Sequence, residues 1–160
     1  PASGVCVQSA LGEDVRVKHY MGIDPGYSGA VAVVDEDGGF LASVRLNATE
    51  HDVSEFVREH APNVAFAVLE KVNAMPRQGV SSTFKFGTSY GFCRALLVCH
   101  RMSFEVVTPA TWQRELKCLS KGDKNVTKAA AQRLFPGEKV VHATADAMLI
   151  AEYARRFGRR

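Results

Sequence analysis

The chain has 160 residues, of which 46% are hydrophobic, and its formal net charge at pH 7 is only +3. This length and composition predict one globular domain with a sizeable core and exclude a disordered chain. No segment approaches the roughly 20 consecutive apolar residues of a membrane span, and the four cysteines include no Cys-x-x-Cys pair of the kind that binds zinc.

Predicted strands and helices alternate along residues 18–160. Short apolar runs bounded by turn residues predict strands at 18–24, 28–34, 40–46, 64–69 and 104–107, with a hairpin turn at 35–39. Helical spacing of apolar residues predicts helices from Thr49 to Pro62, from Ser81 or Ser82 to about His100, and at 108–116, 126–134 and 142–157. This order is typical of a single α/β domain with a mixed five-stranded sheet flanked by helices. Residues 1–17 show no periodicity and are predicted to be a disordered or trimmed segment.

Three acidic residues lie where an isolated charge is costly. Asp24 and Glu70 each end an apolar strand, and Asp146 lies inside the apolar helical pattern of residues 143–150. A carboxylate at the mouth of a core loses solvation, and several converging carboxylates repel one another unless cations neutralise them. The three acids therefore predict a divalent metal site.

The predicted fold can bring these acids together. If the first and fourth strands are parallel neighbours, Asp24 and Glu70 project from one edge of the sheet, where ligand sites of open α/β folds form. His142 lies four residues before Asp146 and shares its helix face. Two Mg²⁺ ions about 3.5–4 Å apart on such ligands can activate water and stabilise a departing oxygen. The four residues therefore predict phosphodiester hydrolysis, with His142 as a metal ligand or a proton carrier.

Each acid taken alone has a simpler interpretation. Asp24 could be a turn residue before Pro25, and Asp146 could be an exposed helix residue. The acidic run at 35–37 is interpreted as a solvated turn, and Glu152 as a helix charge without chemistry. Only the combination of the three acids favours a metal site.

Several motifs stand in an order that is specific to one family. Gly-Ile-Asp-Pro-Gly at 22–26, followed by Gly-Ala-Val-Ala at 29–32, resembles the opening of RuvC-type Holliday junction resolvases, which have the ribonuclease H-like fold. Leu-Glu-Lys at 69–71 resembles their second acidic motif, residues 82–91 the start of their long dimer helix, and residues 143–147 their terminal acidic motif.

The resemblance covers residues 20–157, and the segment 74–84 is closer to the plastid (monokaryotic chloroplast) branch and its phage relatives. It implies a homodimeric endonuclease that nicks two opposing strands of a four-way DNA junction symmetrically during recombination. Its cofactor would be Mg²⁺, replaceable by Mn²⁺, with two ions per active site. Some members carry Asp near where this chain has His142. The positions that match the family's catalytic and metal-binding residues are Asp24, Glu70, His142 and Asp146.

The resemblance also implies partners and a compartment. No membrane and no nucleotide cofactor are expected. In a plant the protein would act in the chloroplast, its transit peptide being absent from this chain, and otherwise in the cytoplasm.

The predicted DNA contacts follow Glu70 in the chain. The loop at 73–80 should overhang the reacting phosphate, where Met75 would wedge against a base while Arg77 and Gln78 read base edges. Four lysines are expected to bind phosphates: Lys117, Lys121, Lys124 and Lys128. An ordinary loop and solvated lysines are the alternatives.

The predicted helix after Ser82 carries aromatic residues on more than one face, which exceeds what one side of a sheet needs. A two-fold dimer interface formed by Phe84, Phe86 and Tyr90 would use this surplus. Dense packing of the core is the alternative.

Three other functions stay open. The first is a ribonuclease H-like nuclease for RNA–DNA hybrids, against which the aromatic helix and the loop after Glu70 argue. The second is a sugar-kinase-like ATPase, because residues 22–26 are similar to its first phosphate loop, but that fold occurs in two copies and this chain is too short. The third is a non-catalytic junction-binding module, which would not need all three acids.

Overall fold

The computed structural model describes residues 17–71 and 79–158. The strands are β1 (His19–Asp24), β2 (Ala30–Val34), β3 (Phe40–Arg45), β4 (Val64–Glu70) and β5 (Phe104–Val107). The helices are α1 (Glu50–His60), α2 (Val80–Cys99), α3 (Pro109–Glu115), α4 (Lys124–Leu134) and α5 (His142–Phe157), with a 3₁₀ turn at Ala61–Asn63. None of the helices in these ranges has the length and apolarity needed to cross a bilayer.

The five strands form one mixed sheet in the order β3-β2-β1-β4-β5. The strands β1, β2 and β3 are antiparallel neighbours, whereas β4 runs parallel to both β1 and β5. Ile23 of β1 pairs with Leu69 of β4, so these two strands end side by side. The predicted fold class, a single α/β domain with a mixed five-stranded sheet, is confirmed.

Each face of the sheet carries its own hydrophobic core. Side chains alternate along a strand, so Tyr20 of β1 packs with α3, α4 and α5, while Met21 and Ile23 pack with α1 and α2. Helix α5 is buried over most of its length, since every residue from Ala147 to Ala154 is buried.

Helix α5 crosses β1 in backbone contact at Gly22. A Cβ atom at this position would lie 2.1 Å from the backbone nitrogen of Ala151 and 2.3 Å from the carbonyl oxygen of Ala147. Only glycine permits such an approach. Because Gly22 precedes Asp24 by two residues and Ala147 directly follows Asp146, this crossing sets the distance between the two acids.

Two helices begin earlier than the apolar pattern predicted, and one begins at its predicted cap. Helix α4 begins at Lys124 rather than at Val126, because the side chain of Asp123 accepts a hydrogen bond from the backbone N–H of Asn125 at 2.9 Å. Helix α2 begins at Val80, slightly earlier than the predicted serine. The cap of α1 is the predicted Thr49, whose hydroxyl accepts from the N–H of Asp52 at 3.1 Å.

Glu152 differs from the expectation that it is a simple helix charge. The residue is only 3% exposed. Its carboxylate lies 2.7 Å from Nε of Arg155 and 2.5 Å from Nε of Arg156. These two guanidinium groups compensate the desolvation of a charge that would otherwise be costly to bury.

The Gly22→Ala substitution should separate α5 from the sheet. Its methyl group would overlap two backbone atoms of a buried helix, so we expect unfolding in urea to show a loss of about 3 kcal/mol or more. The matched control is Gly91→Ala in α2, where nothing lies within 4 Å of the added Cβ. This control should gain about 0.5–1 kcal/mol. Equal midpoints for Gly22→Ala and the wild type would contradict the packing described here.

Candidate active site

The three predicted acids meet on the α5 side of the sheet. Asp24 and Glu70 are the last residues of β1 and β4. Strand alternation puts Asp24 on the same face as Tyr20, and Glu70 on the same face as Val68, which is the face that α5 covers. Asp146 lies in the second turn of α5, directly before the contact with Gly22.

Electrostatic repulsion links the three carboxylates. Burial, together with repulsion from Asp146, raises the pKa of Asp24 to about 6. Burial is also the main cause that raises the pKa of Glu70 to about 8, and repulsion from Asp24 and, more weakly, from Asp146 contributes to this rise. Burial also raises the pKa of Asp146. Without a cation, the cluster therefore retains protons that ordinary carboxyl groups would release.

Neighbouring side chains hold two of these acids. The indole Nε1 of Trp112 donates a hydrogen bond to Oε2 of Glu70 at 2.7 Å. A side-chain hydrogen bond from Thr127 to Asp146 offsets part of the rise in the pKa of Asp146. Both residues are buried. The sequence did not identify either residue as part of the site. The one available signal was Trp112 itself, because a buried indole N–H usually has a hydrogen-bond acceptor.

A cleft of about 430 Å³ opens beside the acids. Glu70 and Asp146 line it together with residues that include Lys121 and Lys124. The positive charge of Lys124 lowers the pKa of all three acids. The cleft therefore combines carboxylates with the positive charge that a bound phosphate would need.

The donor set fits a divalent cation, although the acids do not form a finished ligand cage. Within residues 17–71 and 79–158, no group of three or more His, Cys, Asp or Glu side chains is arranged to hold a metal ion. However, Oδ1 of Asp146 is buried and has no hydrogen-bond partner in this part of the chain. An orphaned, desolvated oxygen beside two repelling carboxylates is a site that a hard cation would satisfy.

His142 lies at the margin of this cluster. It is the first residue of α5 and is exposed, and its charge lowers the pKa of Asp146. Among the described residues that line the cleft, His142 does not occur. Asp24 is absent from that described lining as well, and the expectation that the imidazole and three acids surround one point stays a prediction.

The predicted DNA-contact residues separate into three groups. Lys121 and Lys124 line the cleft. Lys117 is exposed outside it, and Lys128 is half-buried on α4, one turn beyond Lys124. The remaining three lie outside the described residues: Met75, Arg77 and Gln78.

The predicted dimer residues differ in exposure. Phe84 is 75% exposed on α2, whereas Phe86 and Tyr90 are half-buried. Tyr90 packs against the core under α1 and α2, so part of its surface serves the protein's own fold. A groove of about 600 Å³ runs along α2 and is lined by Phe84, Phe86 and Tyr27, among others.

Comparison with known proteins identifies the fold. No protein-family model matches the chain, and no curated protein matches it. Solved structures similar to it include two of RuvC. Thermus thermophilus RuvC in complex with a Holliday junction substrate shows 14% identity over 88% of this chain and 97% of that chain, with a TM-score of 0.55. Thermus thermophilus RuvC by itself shows 15% identity over 86% and 95%, with a TM-score of 0.57. The chain therefore shares the fold of these RuvC structures, a single α/β domain with a mixed five-stranded sheet.

The Glu70→Gln substitution should stabilise the metal-free protein in a pH-dependent way. The pKa of Glu70 is raised from 4.5 to about 8 on folding, so the folded state loses stability as pH rises between these values and its carboxyl group ionises. Gln carries no charge, so in EDTA the variant should melt about 3 °C or more above wild type at about pH 9. The difference should shrink towards about pH 5.

The exposed Glu138→Gln variant is the control for this experiment, because it should follow wild type at every pH. A constant difference between Glu70→Gln and wild type across the pH range would contradict the assigned burial of Glu70.

Proposed function

We propose that this chain is a divalent-metal-dependent endonuclease that resolves four-way DNA junctions by nicking two opposing strands symmetrically during recombination. The observation that carries the proposal is the convergence of Asp24, Glu70 and Asp146 beside a lysine-lined cleft. The similarity to a RuvC structure containing a Holliday junction substrate supports the choice of DNA junction as the partner.

The acids would hold Mg²⁺, or Mn²⁺ in its place, as two ions per site. Metal bound there supplies an activated water at neutral pH and neutralises charge on the departing oxygen. Asp24, Glu70 and Asp146 give up their retained protons on binding, which makes cation affinity rise with pH. His142, at the rim, would serve as an outer ligand or carry a proton to solvent.

The lysines and the loop after Glu70 would bind the DNA. Lys121 and Lys124 line the cleft with Glu70 and Asp146 and would take the phosphates beside the cleaved bond. Lys117 and Lys128 would extend this contact along the backbone, so affinity should fall as salt rises. In the loop, Met75 would act as a wedge between bases, and base-edge contacts would come from Arg77 and Gln78.

Two copies of the chain would act together. The exposed ring of Phe84 and the apolar groove along α2, which Phe86 also lines, offer a surface that a two-fold dimer would cover. Tyr90, which packs against the protein's own core, would contribute its remaining surface. A two-fold dimer presents two active sites to the two symmetry-related strands of a junction.

The proposal includes a family branch and a compartment. The chain would belong to the plastid branch and act in the chloroplast, or in the cytoplasm if its source is not a plant.

The Asp24→Asn substitution should abolish nicking and preserve junction binding. The variant loses one carboxylate but keeps the size of the side chain, so the cleft and its lysines stay in place. Strand-resolved cleavage of a mobile four-way junction with Mg²⁺ measures nicking, symmetry and sequence preference together. A gel shift with Ca²⁺ measures binding.

The control for Asp24→Asn is Asp37→Asn, which alters an exposed acid of the β2–β3 turn and should leave nicking unchanged. Full activity of Asp24→Asn would rule out the proposed site. Cleavage of an RNA–DNA hybrid, with none of the junction, would identify the chain as the alternative ribonuclease H-like nuclease.

The Phe84→Asp substitution should yield a monomer that nicks poorly. A charge at this position would have to be desolvated in the proposed interface, whereas the folded monomer should tolerate it because Phe84 is exposed. Light scattering after size exclusion measures the mass. Leu41→Asp, at an exposed position of β3, is the matched control and should leave the mass unchanged. A monomeric wild type would contradict the proposed interface.

A further inference from the structure

Trp112 is the only tryptophan of the chain and contacts the candidate site through its one polar atom. The residue is 0% exposed, and its Nε1 lies 2.7 Å from Oε2 of Glu70, 42 residues away in sequence. An indole N–H can only donate, and a bond of this kind to an ionised carboxylate is charge-assisted. The contact therefore holds Oε2 of Glu70 in a defined position.

The segment between β5 and α3 anchors Trp112 over the end of β4. Val107 pairs with Glu70 in the parallel register, and the N–H of Lys71 donates to the carbonyl oxygen of Val107 at 2.7 Å. The next residue, Thr108, caps α3 by accepting from the N–H of Thr111 at 3.3 Å. Trp112 thus stands one helical turn from a strand that is hydrogen-bonded to the acid's own strand.

This anchoring counters the forces that would move Glu70. Asp24 and Asp146 repel its carboxylate, and a glutamate side chain has enough rotatable bonds to turn away from them. A buried, rigid donor on the other side holds Oε2 in place. Among the described residues, Oε1 has no hydrogen bond of its own, and Glu70 lines the cleft.

We propose that Trp112 is a positioning residue for Glu70, whose N–H holds Oε2 so that Oε1 alone is presented to a divalent cation in the cleft. Hydrogen-bonded partners of this kind orient metal ligands and raise metal affinity. The role of that cation in cleavage rests on the proposed function, but the positioning can be measured without DNA. The competing explanation is that Trp112 only fills the core.

The indole itself reports on the site, because its fluorescence is the only tryptophan signal of the chain. Titrating the DNA-free protein with Mn²⁺, a paramagnetic quencher, should give saturable quenching. The Glu70→Gln variant should need about tenfold more Mn²⁺ to reach the same quenching. Glu138→Gln, which changes an exposed acid remote from the cleft, should titrate like wild type. Equal titrations of Glu70→Gln and wild type would overturn the proposal.

The decisive variant is Trp112→Phe, which keeps an aromatic ring and removes the donor. Calorimetric titration with Mn²⁺ should show an affinity about tenfold or more below that of wild type. Junction binding in Ca²⁺ should be unchanged, and the Mg²⁺ concentration for half-maximal nicking should rise. A lower melting temperature with unchanged Mn²⁺ affinity would assign Trp112 to packing alone and overturn the proposal.

An isosteric analogue decides the matter if Trp112→Phe does not fold. Replacing the single tryptophan by benzothienylalanine keeps the bicyclic shape and exchanges the N–H for sulfur. Weaker Mn²⁺ binding by this folded protein supports the positioning role, and wild-type binding overturns it.

The outcomes separate this inference from the proposed function. If the Trp112 variants weaken Mn²⁺ binding but the wild type cuts no junction, the positioning role stands and the proposed function fails. If the wild type cuts junctions and the variants bind Mn²⁺ as tightly, the function stands and the positioning role fails.

Discussion

The contact between the backbone of α5 and β1 at Gly22 is the constraint on which the rest of the structure depends. It lets a helix that is buried from Ala147 to Ala154 lie directly on the central strand, closer than any side chain at residue 22 would allow. The alanine-rich face of α5 is the other half of this packing. Since Asp146 immediately precedes the contact and Asp24 follows Gly22 by two residues, the same crossing that builds the core also builds the acidic site.

That arrangement is costly for the protein without a cation. Three desolvated carboxylates repel one another, and Lys124 offsets this only in part. A fold normally compensates a buried charge, as it does for Glu152 with two arginines, yet Oδ1 of Asp146 has no partner in the described residues. A cluster of like charges lowers the stability of the folded protein, and such clusters are typical of sites that bind or catalyse. In the same helix, Glu152 is therefore an acid whose burial serves the fold, and Asp146 is an acid whose burial serves a site.

Local patterns predicted much of the fold and part of the site, and Asp123 and His142 show where they failed. Alternation along β1 and β4, together with their parallel pairing, was enough to direct Asp24 and Glu70 to one face and one edge. The start of α4 was predicted too late because its cap, Asp123, lies in a polar segment without periodicity. His142 shares a helix face with Asp146, but a helix face spans both the cleft and solvent, and the spacing could not place the imidazole.

The sequence by itself determined the elements and the acids at the ends of apolar runs, because these depend on residues that are near neighbours in the chain. Only the tertiary structure brought α5 against Gly22. Tertiary structure alone decided what surrounds the acids. Trp112 reaches Glu70 across 42 residues, and Thr127 and Lys124 come to Asp146 from a different helix. Such contacts depend on how elements stack in space, and strand or helix periodicity carries no information about partners that distant.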